Sequence, residues 1–393
     1  MDIVTTSNFH ATLLQGQLSV VFIPTKHIRQ CSWPLLNLLL YGGCSFDENE
    51  GTCAQTQQAH VCRSVQTEIF SVVSDKDGAT LFMDPNGIEI FKRAGMEELI
   101  TVAPQQWRAI QIHLGPMVAE FPGVVSFLSK LLADDHISIL NMSTYDTDII
   151  YVQESTLDAA ISCLQSKLSR GVHGLKEARW RHITASGRQV AKDAEQARHD
   201  QQGELAADEE ARADAKDLGD DENFEAPLAL PSVVDSEQFL VVYPESLVLV
   251  RLRKDAIRES AFGLTQLALL SFSSPVSACG DETGELSENG VSFWSYCETA
   301  EEISLIITEH CLSSFEDDSI IVSPDRWRAI KLSGRTYGFD ETGVVAAMSG
   351  FATDTQVLNV SSFGSNVTFV LDHTLEDSIA TLCSSLSISH VER

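Results

Sequence analysis

At 393 residues, 44% hydrophobic and 21% charged, the chain has the makeup of a globular protein with room for several cores. Its 56 acidic against 27 basic residues give a net charge of −29, which sets it against nucleic acid and anionic membranes as partners. No stretch nears the roughly 20 apolar residues of a membrane span, and the acidic N-terminus "MDIVTTSNFH" is not read as a signal peptide. The nine cysteines are an odd number without Cys-x-x-Cys or Cys/His spacing, so reduced thiols are expected rather than disulfides or a metal site.

In chain order, "QLSVVFIP" from Gln17 reads as a strand and "SWPLLNLLLY" from Ser32 as a buried helix. "TEIFSVVS" and "ATLFMD" follow as strands. "WRAIQIHL" from Trp107 opens a second set with period-two alternation. The helix after Gly123 lines up Val124, Phe127, Leu128 and Leu131 on one face. "HISILNMS" then runs extended, "TYDT" turns, and "DIIYV" returns as its hairpin partner. Ser155 or Thr156 caps a helix carrying Leu157, Ile161, Leu164 and Leu168. The order strand–helix–strand–strand–helix lacks only a closing strand to be the βαββαβ ferredoxin-like plan.

From Gly171 to Lys192 the chain is basic, and from Asp193 to Glu225 it is acidic and poor in apolar residues. Such a segment buries too little surface to offset its ordering entropy and is expected to be a largely disordered linker. A membrane or RNA contact by its basic half is the alternative. Beyond it the pattern returns. "QFLVVYPE", "AFGLTQLALLSF", "VSFWSYC" and "ISLIIT" mirror the first set, and "WRAIKLSG" from Trp327 mirrors the second. "LNMSTYDTDIIYV" at Leu140 and "LNVSSFGSNVTFV" at Leu358 share one frame, but Asp146 and Asp148 of the first have Gly364 and Asn366 as counterparts. The chain is a duplication. It divides into four small α/β units at 1–104, 105–169, 233–324 and 325–393, with the linker over 170–232.

Signatures of nucleotide loops, nucleophile elbows and metalloprotease helices are missing, so the reading is non-catalytic, without cofactor or metal. What stands out is "YGFDETGVV", Tyr337 to Val345, where Gly338 and Gly343 bracket Asp340 and Glu341 ahead of a helix. Backbone N–H groups there suit a carboxylate and the acids suit an ammonium, which are the two ends of a free amino acid. An Asp/Glu N-cap with glycine for turn geometry explains the same residues. The matching loop of the first half, "MVAEFPGVV", keeps one glycine and gains Pro122, so only the second half looks built for a ligand.

"GFDETGVVAAMSG" followed by "SSFGSN", together with "HISILNMSTYDTD", resembles the CASTOR family of cytosolic arginine sensors in TOR signalling, whose wider relatives are ACT-domain proteins and the ACT pairs of aspartate kinases. The resemblance is strongest over 105–168 and 325–385 and absent from the linker. It implies an α+β protein of four tandem ACT repeats in two pairs, cytosolic and homodimeric through the first and third repeats. It places one free arginine between the second and fourth. Carried over, Ser138 and Ile139 meet the backbone of the amino acid. Gly338, Phe339, Asp340, Glu341, Gly343, Val344 and Val345 close over it. Ser362, Phe363, Gly364, Ser365 and Asn366 line its side-chain end. The family has an aspartate at the last position to pair with the guanidinium. An amide there forgoes about 1–2 kcal/mol, roughly 5- to 30-fold in affinity.

The resemblance also assigns Tyr145, Asp146, Thr147 and Asp148 to a face that binds and inhibits a GATOR-type complex until ligand releases it. Animal members carry Gln in place of Asp146. Without the resemblance, the same residues read as a polar turn. A ligand-independent inhibitor of that complex, or a regulatory subunit of a biosynthetic enzyme, are the rival readings.

Overall fold

The structure, a computed structural model, describes residues 10–42, 67–113, 123–168, 171–174, 238–270, 293–351 and 355–393. Most of the expected linker and the loop counterpart at 114–122 lie outside the described residues.

The first repeat opens with β2 (Leu18–Pro24), preceded by a short β1 (His10–Leu13). The helix Ser32–Tyr41 follows and ends at Gly42 in the left-handed conformation, φ 60°, where a residue without Cβ stops a helix at little cost. β3 (Phe70–Ser74) and β4 (Gly78–Met83) form a hairpin, and Asp84 caps the next helix, Pro85–Arg93, by accepting the Gly87 N–H at 2.9 Å. With β5 (Thr101–His113) the order is β5–β2–β4–β3, the ferredoxin-like arrangement. The third repeat repeats it with β10 (Leu247–Leu252), the helix Ala261–Leu270, β11 (Trp294–Glu298), β12 (Ile303–Thr308) and β13 (Ile320–Val322). A 3-10 segment, Glu309–Ser314, stands where the first repeat has its second helix. β3 and β11 pair antiparallel, Tyr296 opposite Val72, and fuse the two repeats into one sheet.

The second repeat takes β5 as its centre, beside β7 (Thr147–Gln153), itself paired with β6 (Ile139–Ser143). In the fourth, β14 (Trp327–Ser333) pairs with β16 (Ser365–Leu371), and β16 with β15 (Val357–Ser362). On the other side of each centre lies a strand from the residues that lead into the preceding repeat. β1 pairs with β5 and β8 (Val172–His173); β9 (Phe239–Val242) pairs with β14 and β17 (Val391–Glu392).

Three expectations are corrected by these pairings. "QFLVVYPE" belongs to the sheet of the fourth repeat, not the third. The boundary at 104/105 falls inside the continuous β5, whose first half closes one repeat and whose second half opens the next. The linker begins later than residue 170, because Val172 and His173 are an edge strand. Thr156 also does not cap through its side chain; a 3-10 turn over Glu154–Thr156 leads into the helix Leu157–Lys167.

The sheet of repeats one and three packs one face on its own helices through Val21, Ile23, Leu35, Val248, Leu264 and Trp294. Its other face meets strands of repeats two and four. Phe82 stacks on Tyr151 with centroids 4.3 Å apart, and Phe293 meets Phe369 edge-on at 5.2 Å. Pairs of this kind add about 0.5–1.5 kcal/mol beyond the area they bury. The Tyr151 hydroxyl is satisfied by Ser71 Oγ at 2.7 Å. Two sheet layers thus stand face to face, and they hold the loops and hairpins of repeats two and four against fixed turns of repeats one and three.

Candidate functional site

The two copies of Leu-Asn-x-Ser meet each other. β6 and β15 run antiparallel with Met142 opposite Val360. Ser361 Oγ accepts the Asn141 N–H at 2.9 Å, and Ser143 Oγ accepts the Asn359 N–H at 3.0 Å. The Asn141 amide donates to the Asn359 carbonyl, also at 2.9 Å. An identical motif on both strands gives a reciprocal join, with serine hydroxyls taking edge N–H groups that would otherwise be buried unpaired.

Beside this join lies a cleft of about 320 Å³, its mouth included, lined from the second repeat by Ser138, Ile139 and Leu140. The fourth repeat supplies Tyr337, Gly338, Phe339, Glu341, Val344 and Val345 from the loop and Ser361, Ser362, Gly364, Ser365 and Asn366 from the hairpin. The sequence-predicted ligand residues are therefore brought together except three. Asp340 is turned outward and accepts the Gln153 amide at 2.9 Å. Phe363 packs on Phe22 and Phe339, with centroids 5.2 and 5.1 Å away. Gly343 is not in the lining. It begins a helix of only five residues, Val344–Met348, at φ 85°, the same entry as Gly123 in the second repeat.

The loop is held down from the second repeat. The Ser138 hydroxyl donates to the Phe339 carbonyl at 2.7 Å, with that of Glu341 at 3.0 Å, and the Gln153 amide donates to the Phe339 carbonyl at 2.8 Å. The Phe339 ring meets Trp107 edge-on at 5.7 Å. Gly364 permits the closest approach: it has φ 72°, and a Cβ there would stand 2.2 Å from Thr336 Cγ2.

Both polar ends of the cleft are internally satisfied. Glu341 accepts the Gly338 N–H at 2.6 Å on one oxygen and the Arg335 guanidinium at 2.7 Å on the other. Arg335 lies over the Tyr337 ring, 4.3 Å from its centroid. Asn366 is 1% exposed. It exchanges hydrogen bonds with the Asn359 amide at 2.6 and 2.9 Å and donates to Ser361 Oγ at 3.1 Å.

The first-copy hairpin is docked on the third repeat. Thr144 donates to Glu302 at 2.6 Å, the Asp146 N–H reaches the same carboxylate at 3.2 Å, and the Asp146 side chain pairs with Arg251 at 2.7 Å. Burial pushes Glu302 up to about 7, with the Thr144 hydroxyl pulling the other way. Tyr145 and Asp146 remain half-buried, and burial foremost, then the Asp146 charge, raises the Tyr145 phenol above its usual range. Asp148 is buried at 6% exposure against the Ser143 hydroxyl, 2.6 Å away, and burial lifts it to about 6. The expectation that this acid faces outward to a partner is corrected: it points into the protein.

Sequence reasoning missed Arg335, Gln153, Glu302 and Arg251. Only Arg335 left a signal, as the basic residue nearest the Asp340–Glu341 loop; the others come from distant strands and turns. Among the described residues, no group of three or more His, Cys, Asp or Glu is arranged to hold a metal ion. No helix among them is long and apolar enough to cross a membrane.

The ACT-domain family pattern matches this chain twice, at residues 102–166 and 322–384, the second and fourth repeats. The chain's second and fourth repeats are ACT domains. It is related to proteins named cytosolic arginine sensor for mTORC1 subunit 1. The rat relative is 24% identical over 330 residues, 81% of this ACT-domain chain and 85% of the relative. The human one is 23% identical over 337 residues, 82% and 87%. Among solved structures, aspartate kinase from Synechocystis is 11% identical, covering 100% of this chain and 58% of that one, with a TM-score of 0.29. That likeness is too loose to bear on function. The ACT pattern leaves out the first and third repeats, which repeat its strand order in geometry alone.

Proposed function

We propose that this protein is a cytosolic, non-catalytic sensor of a free amino acid. The ligand is held between the second and fourth repeats, and a protein partner reads occupancy at the Tyr145–Asp146 hairpin. One observation carries the reading: a cleft shared by two ACT repeats, closed by a glycine-bounded loop that the opposite repeat holds through Ser138 and Gln153. The relatives' name brings arginine as the reference ligand, and the family resemblance brings a GATOR-type complex as the partner.

The mechanism is linkage. The cleft and the partner hairpin adjoin the same reciprocal Ser143–Ser361 join, so a ligand that alters the packing of β6 on β15 alters the hairpin as well. Each binder then weakens the other by the same factor, typically 1–3 kcal/mol for such coupling. A homodimer through the first and third repeats is supported by their contacting helices, which leave Trp33, Tyr41, Phe262 and Leu269 exposed.

Calorimetry with the twenty amino acids is the test, and silence with all of them ends the sensor reading. In capture experiments with the partner complex, Tyr145→Ala and Asp146→Ala are expected to reduce recovery; full recovery with both would remove the hairpin from the interface. A second reading, a ligand-independent inhibitor of the same partner, is favoured by one fact: Glu341 and Asn366 are already satisfied within the chain. Partner capture that no amino acid releases would select it.

A further inference from the structure

Counting charges around the cleft narrows its ligand. Glu341 is the single carboxylate among the described lining residues, and it already holds the guanidinium of Arg335. The ammonium group of any bound amino acid makes that carboxylate serve two cations. At the opposite end Asn366 is neutral and buried, with its oxygen and both amide hydrogens committed to Asn359 and Ser361. The remaining polar lining there consists of serine hydroxyls, and Asp340 turns to Gln153 instead. A cationic side chain entering the cleft gives up its hydration and meets no anion that is not already shared, an arrangement that is strongly disfavoured. The walls, Ile139, Leu140, Val344 and Val345, suit carbon instead.

We infer that the cleft selects a free amino acid with an uncharged side chain and discriminates against arginine and lysine. This rests on the sensor reading above and changes its ligand class. The discrimination lies at Asn366, while Arg335 shares the carboxylate that serves the ammonium common to every amino acid.

The test is calorimetry on the full chain with glutamine, methionine, leucine, arginine and lysine. The best uncharged ligand is expected to bind about tenfold or more tighter than arginine, the scale of one lost charge-assisted contact. In Asn366→Asp, arginine gains about tenfold while the uncharged ligand does not. In Arg335→Gln, which frees the carboxylate at the ammonium end and leaves the hairpin untouched, all amino acids gain alike and the preference against arginine is kept. Arginine binding the unaltered chain as tightly as every uncharged amino acid overturns the inference and leaves the sensor reading standing. Absence of binding by any amino acid removes both.

Discussion

The two hairpins Ser143–Asp148 and Ser361–Asn366 share a frame, yet they are moored to the rest of the molecule by opposite chemistry. The first docks on charge: Glu302 gathers Thr144, Thr147 and the Asp146 N–H, and Arg251 takes the Asp146 carboxylate. The second meets the first repeat through carbon, Phe363 stacking on Phe22, with the Phe363 N–H donating to Thr80 Oγ1 at 2.8 Å. A charged mooring answers to pH and to competing charges, whereas an apolar one does not. A duplicated fold has thus given one copy a contact made of titratable groups and the other an apolar wall beside the cleft.

Three tests probe that contrast, beginning with the neighbouring central strands. Lys331 of β14 is buried with Asp75 at 2.6 Å and also pairs with Asp77, while its counterpart Gln111 of β5 makes only a 3.3 Å bond to Thr147. Burial pushes the Lys331 ammonium down, but the two carboxylates prevail and its pKa is raised. Lys331→Met is expected to cost about 3–5 kcal/mol, because it strands a buried carboxylate, against about 1 kcal/mol for Gln111→Met. Urea unfolding of the two variants checks this, and equal losses would erase the asymmetry.

The charged mooring should also show in the pH dependence of stability. The folded value of Glu302, about 7, lies above its ordinary 4.5. The folded state therefore binds the extra proton between these values. Stability is fully kept below about pH 4.5 and falls as pH rises through 7, by about 3 kcal/mol in all. Asp148 acts in the same direction between its ordinary 3.8 and about 6. Glu302→Gln keeps the shape without the charge, so unfolding curves at pH 5 and pH 8 should differ less in the variant; an unchanged difference would assign the pH response elsewhere.

The smallest effect concerns two glycines of the fourth repeat. Gly364→Ala meets both a left-handed backbone and Thr336, and should cost about 1–2 kcal/mol; Gly343→Ala, with open space around it, should cost about 1 kcal/mol or less. Thermal unfolding orders the pair, and Gly343 as the costlier position would argue that the loop, not the hairpin tip, carries the strain.

Much of this was legible in the chain. Ser32–Tyr41 and Ile303–Thr308 agree with the expected helix and strand to the residue, because a buried helix bounded by glycine and a β-branched run between turns leave strong local signals. The cleft was legible because most of its lining, the part from the fourth repeat, lies within thirty residues of sequence. What escaped were partnerships. Nothing in "HATL" or "FLVV" says which sheet will accept the strand, since backbone pairing is indifferent to side-chain identity. The burial of Asp148 escaped because an aspartate in a hairpin reads as polar surface until a neighbouring serine and a second sheet enclose it. Arg335 escaped because a lone arginine in a loop carries no periodicity.

The borrowed strands β1 and β9 have a consequence for how the protein can be divided. A fragment cut to the span of either ACT match, 102–166 or 322–384, leaves its central strand with a bare edge, because the neighbour that covers it comes from the residues before the first repeat or before the third. Such a fragment presents unpaired N–H and C=O groups to any other chain and invites self-association. The pair of repeats together with its leading strand covers that edge, and it was that pair which was copied.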